Sequence, residues 1–241
     1  MTVSLPELQS VWLGRMHYST ALDLQRSLFE RRKSGDIPDT LLTLEHDPVY
    51  TLGRRSVQDH VLAEPATLAA IGAEVVETDR GGEVTYHGPG QLVMYPIISL
   101  REAELGPVTY VRILEQVVID TLRQFWVQGH RVVGKTGVWV GGEPGSKPEA
   151  GSNPAGRKIA AMGVRVSAGV AMHGLALNVS TDLTYFDHIV PCGMPSLAVT
   201  SIFAETGASP GVSSVAEISA GLLAVMLQRR LVTVGIDHLT A

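Results

Sequence analysis

The apolar runs in the middle of this chain are short and repeatedly broken. Leu92–Ile98 carries Pro96 inside it, and Leu41–Leu44, Val75–Thr78, Glu83–Tyr86, Arg131–Val133 and Gly137–Val140 are no longer than that. Runs of this length, bounded by glycine and proline turns such as Asp79-Arg80-Gly81-Gly82 and His87-Gly88-Pro89-Gly90, read as strands. Lys158–Val166 and Gly174–Val179 continue the series. Helical spacing appears on either side. Tyr18, Leu22, Gln25 and Leu28/Phe29 mark a helix over 17–34 that Gly35 ends. Val108, Val111, Leu114, Val118, Leu122 and Phe125 mark a buried stripe over 107–126, with Pro107 in its first turn. A capping box at Ser214–Glu217 opens a last helix that runs to about Arg229. Strands in the middle with helices around them predict an α+β fold, a central mixed or antiparallel sheet flanked by helices.

Gly141–Gly156 is rich in Gly, Pro, Ser and Glu and has almost nothing to bury, so it reads as a mobile surface loop. The strands on both sides of it belong to one sheet, which makes 1–241 a single domain. Hydrophobic residues are 45% of the 241, enough for a sizeable core. The net charge of −5 gives no global attraction to nucleic acid or anionic lipid. No run approaches a membrane span, and the first thirty residues lack a secretory pattern, so the expectation is a soluble cytoplasmic protein.

Cys192 is the one cysteine, which excludes an intrachain disulfide and a cysteine-rich metal site. It lies between Pro191 and Gly193, in a turn or loop. A lone cysteine is commonly a small buried hydrophobe, whereas a reactive one needs access and a nearby cation. The lysines are Lys33, Lys135, Lys147 and Lys158; the remaining cations are arginines, which cannot give up a proton. Lys158 enters the apolar segment Ile159–Val164 and is either a solvated residue or an amine beside a thiol, where it would favour thiolate and then act as a base. Arg80–Gln91 holds Gly81, Gly82, Gly88 and Gly90, a density that suits tight turns or close approach of backbone to a ligand. Its spacing matches neither the dinucleotide fingerprint nor a phosphate-binding loop. Arg80, His87 and His173 are polar candidates beside it, and no histidine pair has zinc-ligand spacing, so no metal is expected.

In order along the chain, the motifs are Leu44-Glu45-His46, Val49–Arg55, Arg80-Gly81-Gly82 through Thr85, His87–Gln91, Gly137-Val138-Trp139, Lys158–Gly163, His173–Asn178 and Pro191-Cys192-Gly193. Together they closely resemble the lipoyl(octanoyl) transferases, from Leu41 to about Ser201. The resemblance implies the α/β catalytic fold shared with biotin and lipoate ligases. It carries the acyl-accepting cysteine onto Cys192 and its partner lysine onto Lys158. The substrate-contacting residues fall on Arg80, Gly81, Gly82, Glu83, Val84, Thr85, Tyr86, His87, Ala161, Met162, Gly163, Gly174, Leu175 and Ala176. The 141–156 loop is longer than the family pattern.

The implied reaction moves an octanoyl group from octanoyl-acyl carrier protein to a lysine of a lipoyl domain, in 2-oxoacid dehydrogenase E2 subunits or the glycine cleavage H protein. Thioester exchange is nearly even and amide formation is downhill, so no ATP or other cofactor is expected. Gly81, Gly82, Ala161, Gly163, Gly174 and Ala176 supply small residues where an acyl chain could pass, although tight strand packing uses the same residues. Arg54, Arg55 and Arg80 are candidates for a basic rim toward acidic partners. An ATP-dependent ligase of the same fold and a non-catalytic binding module are the alternatives.

Overall fold

The computed structural model describes residues 5–56, 60–142, 156–190 and 197–240. The chain runs β1 (Glu7–Met16), α1 (Tyr18–Ser34), β2 (Asp39–His46), β3 (Val49–Leu52), α2 (Pro65–Ala70), β4 (Glu74–Glu77), β5 (Thr85–His87), β6 (Gln91–Ser99) and α3 (Pro107–Arg123). It continues through β7 (Gly129–His130), β8 (Val138–Val140), β9 (Arg157–Ser167), β10 (Val170–Asn178), a 3-10 turn at Leu183–His188, α4 (Ile202–Thr206), α5 (Val212–Met226), β11 (Arg230–Thr233) and α6 (Asp237–Thr240).

Among the described residues a large sheet has the order β11-β1-β2-β6-β10-β9-β8-β7, and a small one the order β4-β3-β5. β1 runs parallel to β11 and β2, while the ladders from β2 through β6 to β7 are antiparallel. The fold is therefore α+β with a mixed sheet. β6 is buried at every position because both faces are covered, which is why it reads as a continuous run. Leu92, Met94 and Ile98 pack with α3 and α5, whereas Val93, Tyr95 and Ile97 pack with α1. α1 stops at Gly35, whose N–H caps the carbonyls of Arg31 and Arg32.

Several boundaries differ from the sequence expectation. Val108 is exposed, and the stripe of α3 begins one turn later. Arg131–Val133 is not a strand; β7 precedes it. α5 starts at Val212 behind Gly211 with no side-chain cap, so Ser214 lies inside the helix and no capping box forms. Most of the 141–156 stretch lies outside the described residues. No helix among the described residues is long and apolar enough to cross a membrane.

Candidate active site

A cleft of about 490 Å³, measured to its open mouth, lies between the Arg80–His87 segment and residues of β9 and β10. Alternation puts Ala161 opposite Ala176 and Gly163 opposite Gly174 on adjacent strands, so four small residues share one face. A second cavity of about 330 Å³ adjoins it, lined by Lys158, Gln91, Asn178, Phe186 and Leu197 among others. Thr85, Ala161 and Ala176 line both, so these residues stand between the two spaces.

The small residues divide by role. A Cβ on Gly163 would stand 2.7 Å from the Gly81 carbonyl, and one on Gly174 would strike the Met94 carbonyl. These glycines let backbones meet; Ala161 and Ala176 form the wall common to both cavities. Gly81 is not on the wall. Its N–H donates to the Val164 carbonyl at 3.1 Å and ties the turn to β9. Tyr86 points away from the cleft, stacking on Tyr185 at 4.7 Å and packing on Tyr50 and Phe186, as period-two alternation on β5 requires when Thr85 and His87 face inward. Gly82, Glu83, Val84, Met162 and Leu175 contribute to the lining.

Arg80 is 7% exposed, so it is not a rim charge. Its guanidinium donates to the Thr51 carbonyl and hydroxyl and to the Gly81 and Glu83 carbonyls, and so holds the turn shut. Arg54 and Arg55 are exposed, and their N–H groups donate to the carbonyls of Arg80 and Gly82.

Three histidines adjoin the cleft with fixed tautomers. The His46 ring donates Nδ1–H to the Met16 carbonyl at 3.0 Å and accepts at Nε2 from the Tyr95 hydroxyl at 2.7 Å. Burial depresses its pKa to about 4. His87 donates Nδ1–H to Gln91 Oε1 at 2.8 Å, because the Gln91 amide is oriented by its Nε2 bonds to Tyr86 and Asn178. Burial first, then the neighbouring His46 and Arg80, push its pKa down to about 3. His173 donates Nε2–H to Asp79 at 2.7 Å, and burial keeps its pKa below the usual value despite that carboxylate. Burial thus disfavours the imidazolium form in all three.

Lys158 is 6% exposed and reaches the second cavity from β9. Its N–H donates to the Ala198 carbonyl at 2.8 Å and its carbonyl accepts from Thr200 at 2.9 Å. Cys192 lies outside the described residues; Val190 and Leu197 flank its segment, and Leu197 lines the cavity that Lys158 enters. Tyr18 and Tyr95 also line the cleft and were not singled out from the sequence. Tyr18 opens α1 and reads there as a core residue; the one available signal for Tyr95 was a hydroxyl inside an otherwise apolar run.

Residues 17–223 match the lipoyl protein ligase A/B catalytic domain. An octanoyltransferase of Chloroflexus aurantiacus is 50% identical over 207 residues, covering 86% of this chain and 87% of its own. Among solved structures, a putative lipoate protein ligase from T. acidophilum with bound lipoic acid superposes with a TM-score of 0.75 at 15% identity, covering 97% of this chain and 92% of its own. The biotin protein ligase from Aquifex aeolicus in complex with biotin and ATP gives 0.52 at 13% identity, covering 91% and 70%.

Proposed function

The chain belongs to the lipoyl protein ligase A/B catalytic domain family and is an octanoyltransferase within it, and from that premise we propose how its residues carry the acyl group. Cys192 Sγ attacks the octanoyl thioester of acyl carrier protein. A new C–S bond forms, the bond to the carrier sulfur breaks, and the carrier thiol leaves with a proton. In the first step Lys158 takes the Cys192 proton and gives it to the departing carrier sulfur; in the second it takes a proton from the attacking amine and gives it to the Cys192 sulfur. The ε-amine of a lysine on a lipoyl domain then attacks the enzyme thioester, leaving an octanoyl amide and the free Cys192 thiol. The acceptors are lipoyl domains of 2-oxoacid dehydrogenase E2 subunits and the glycine cleavage H protein.

One observation carries this reading: Lys158 lines a cavity that shares Ala161 and Ala176 with a neighbouring apolar cleft. An octanoyl chain extending roughly 1.25 Å per C–C bond spans about 9 Å, which suits a path from the Lys158 end past those two alanines. Arg80, Gly82, Glu83, Val84, Thr85, His87, Met162, Gly163, Gly174 and Leu175 enclose the path, while Gly81 and Tyr86 support it from behind. Arg54 and Arg55 give acidic partners a basic rim. A free thiol nucleophile suits a reducing compartment such as the cytoplasm, and the whole chain, 1–241, acts as one catalytic unit.

The deciding experiment is intact mass of the 25.8 kDa protein after incubation with octanoyl carrier protein. An octanoyl adduct on Cys192 that a lipoyl domain discharges is the expected result. Transfer from free octanoate that depends on ATP, with no adduct, would overturn the thioester route in favour of a ligase.

A further inference from the structure

Trp139 lies on β8 opposite Lys158 of β9, and the ladder between them is irregular. Trp139 pairs with Lys158, but Val138 pairs with Ala160, so Ile159 is an extra residue on β9. A bulge of this kind reverses the facing of the residue beyond it. Ile159 and Ala160 stay in the core under α3 with Val138 and Val140, while Lys158 turns to the face that Trp139 occupies. There the Lys158 ammonium sits over the indole ring, 5.1 Å from its centroid. The other side of the lysine stem is closed by Gly137, at φ 135°, where a Cβ would stand 2.6 Å from Lys158 Cε and 2.7 Å from the Ala160 carbonyl. Gly137 is itself pinned. Its N–H donates at 3.0 Å to Oε1 of Glu115, a fully buried carboxylate of α3 whose other oxygen is held by Arg112 and Arg131.

We propose that Trp139 is a positioning residue for the transfer, forming with Gly137 a slot that holds the Lys158 side chain extended and fixes where its amine stands. The proposal rests on the role of Lys158 given above. The ring's negative face draws the side-chain head toward it while the stem packs against Gly137, so the slot sets where the proton is taken up and handed on. The charges on the segments packed around Lys158 are already matched. Arg157 of β9 is paired with Glu205 of α4, and Glu205 also accepts from Thr200. Glu115 is paired with Arg112 and Arg131. His130 of β7 lies opposite Trp139, and Gln91, Asn178 and Thr85 on the cavity side are uncharged.

The test compares Trp139→Phe and Trp139→Leu in the full-length enzyme, reading kcat and KM, the pH profile of kcat/KM, and alkylation of the single cysteine by iodoacetamide against pH. Loss of the ring in Trp139→Leu should lower kcat about tenfold with KM for the carrier protein nearly unchanged. It should also change the shape of the pH profile of kcat/KM, and thiol alkylation near neutral pH should slow. Trp139→Phe, which keeps an aromatic face, should recover most of both. The proposal is overturned if Trp139→Leu keeps the wild-type pH profiles, or if Phe and Leu are equally impaired in proportion to a shared drop in melting temperature. Lys158→Ala separates the two readings: if that variant is fully active, the role of Lys158 fails, whereas an inactive Lys158→Ala with a silent Trp139→Leu refutes the slot alone.

Discussion

Arg80 grips Thr51 across the small sheet, with Nη2 2.6 Å from the Thr51 carbonyl and 2.9 Å from its hydroxyl, and Nε 3.1 Å from the same hydroxyl. Two further bonds reach the Gly81 and Glu83 carbonyls. Arg80→Ala would leave buried carbonyls without donors, and we expect it to destabilise the fold by about 2–4 kcal/mol. Arg80→Lys should recover only part of this, since an ammonium cannot span the fork. Thermal melts of both variants check it; an Arg80→Ala protein with an unchanged melting temperature and lowered activity would instead make Arg80 a ligand contact.

Ala176→Leu places a branched side chain in the wall common to the two cavities. Each methylene denied burial costs about 0.8 kcal/mol, so C8 transfer should fall ~10-fold or more while C4 transfer changes little. Ala176 is the better probe than Gly82, because Gly82 sits at φ 96° and a side chain there is strained before it meets any ligand. Competition assays with C4, C6 and C8 carrier proteins read the ratio, and an equal loss at all lengths would move the acyl path elsewhere.

The pKa of His46, depressed to about 4, is a stability statement. The unfolded chain takes up a proton near pH 6.5 that the folded chain refuses until about pH 4, so stability falls as pH drops through that window. For His46 alone the loss at pH 5 is on the order of 2 kcal/mol. His87 acts in the same direction from the same upper limit near pH 6.5, and its window extends down to about pH 3. Denaturation midpoints from pH 7.5 to 5 should fall, and His46→Phe should flatten the slope. A slope unchanged by that variant would mean the acid sensitivity lies in other groups.

Cys192→Ser should abolish transfer, because a hydroxyl is a far weaker nucleophile than a thiolate at neutral pH. Lys158→Arg should also be severely impaired, since it keeps the charge but cannot release a proton. Near-normal turnover by the serine variant would remove the covalent step, and an active Lys158→Arg would make the lysine's role purely electrostatic.

Arg54→Glu with Arg55→Glu should lower kcat/KM for the carrier protein severalfold at low salt and much less well above 0.1 M, where the Debye length is ~10 Å. Stopped-flow or steady-state assays across ionic strength test this. A wild-type rate indifferent to salt would argue against a basic rim.

The parts of the fold that showed in the sequence were those whose local pattern and tertiary surroundings agree. β6 is apolar throughout because two layers cover it, and α1 carries both a buried stripe and a glycine stop. β1 was not anticipated, because Gly14, Arg15 and the half-exposed Trp12 interrupt its alternation, and it is a strand through its parallel partners. Ser214 and Glu217 have capping-box spacing, but Gly211 begins the helix earlier. At the site, Lys158 and Cys192 were read from motif resemblance, and spacing alone left each open. Tyr18, Tyr95 and Asp79 could not be placed, since their relations run between distant segments: Tyr18 to Thr78, Tyr95 to His46, Asp79 to His173.

β1 lies between β2 and β11, with Glu7 in register with Arg230 and Ser10 with Thr233. The strand that covers the outer hydrogen bonds of β1 is thus made after every other described strand of the sheet. During synthesis β1 waits with its amide and carbonyl row open, while the β9–β10 hairpin that walls the cleft can close as soon as it emerges. A chain ended before Arg230 should therefore fail by sticking to its neighbours through that bare edge before it fails as a catalyst; a monomeric truncation by light scattering would refute this. On that reading β11 would guard the sheet edge against self-association, away from the cleft.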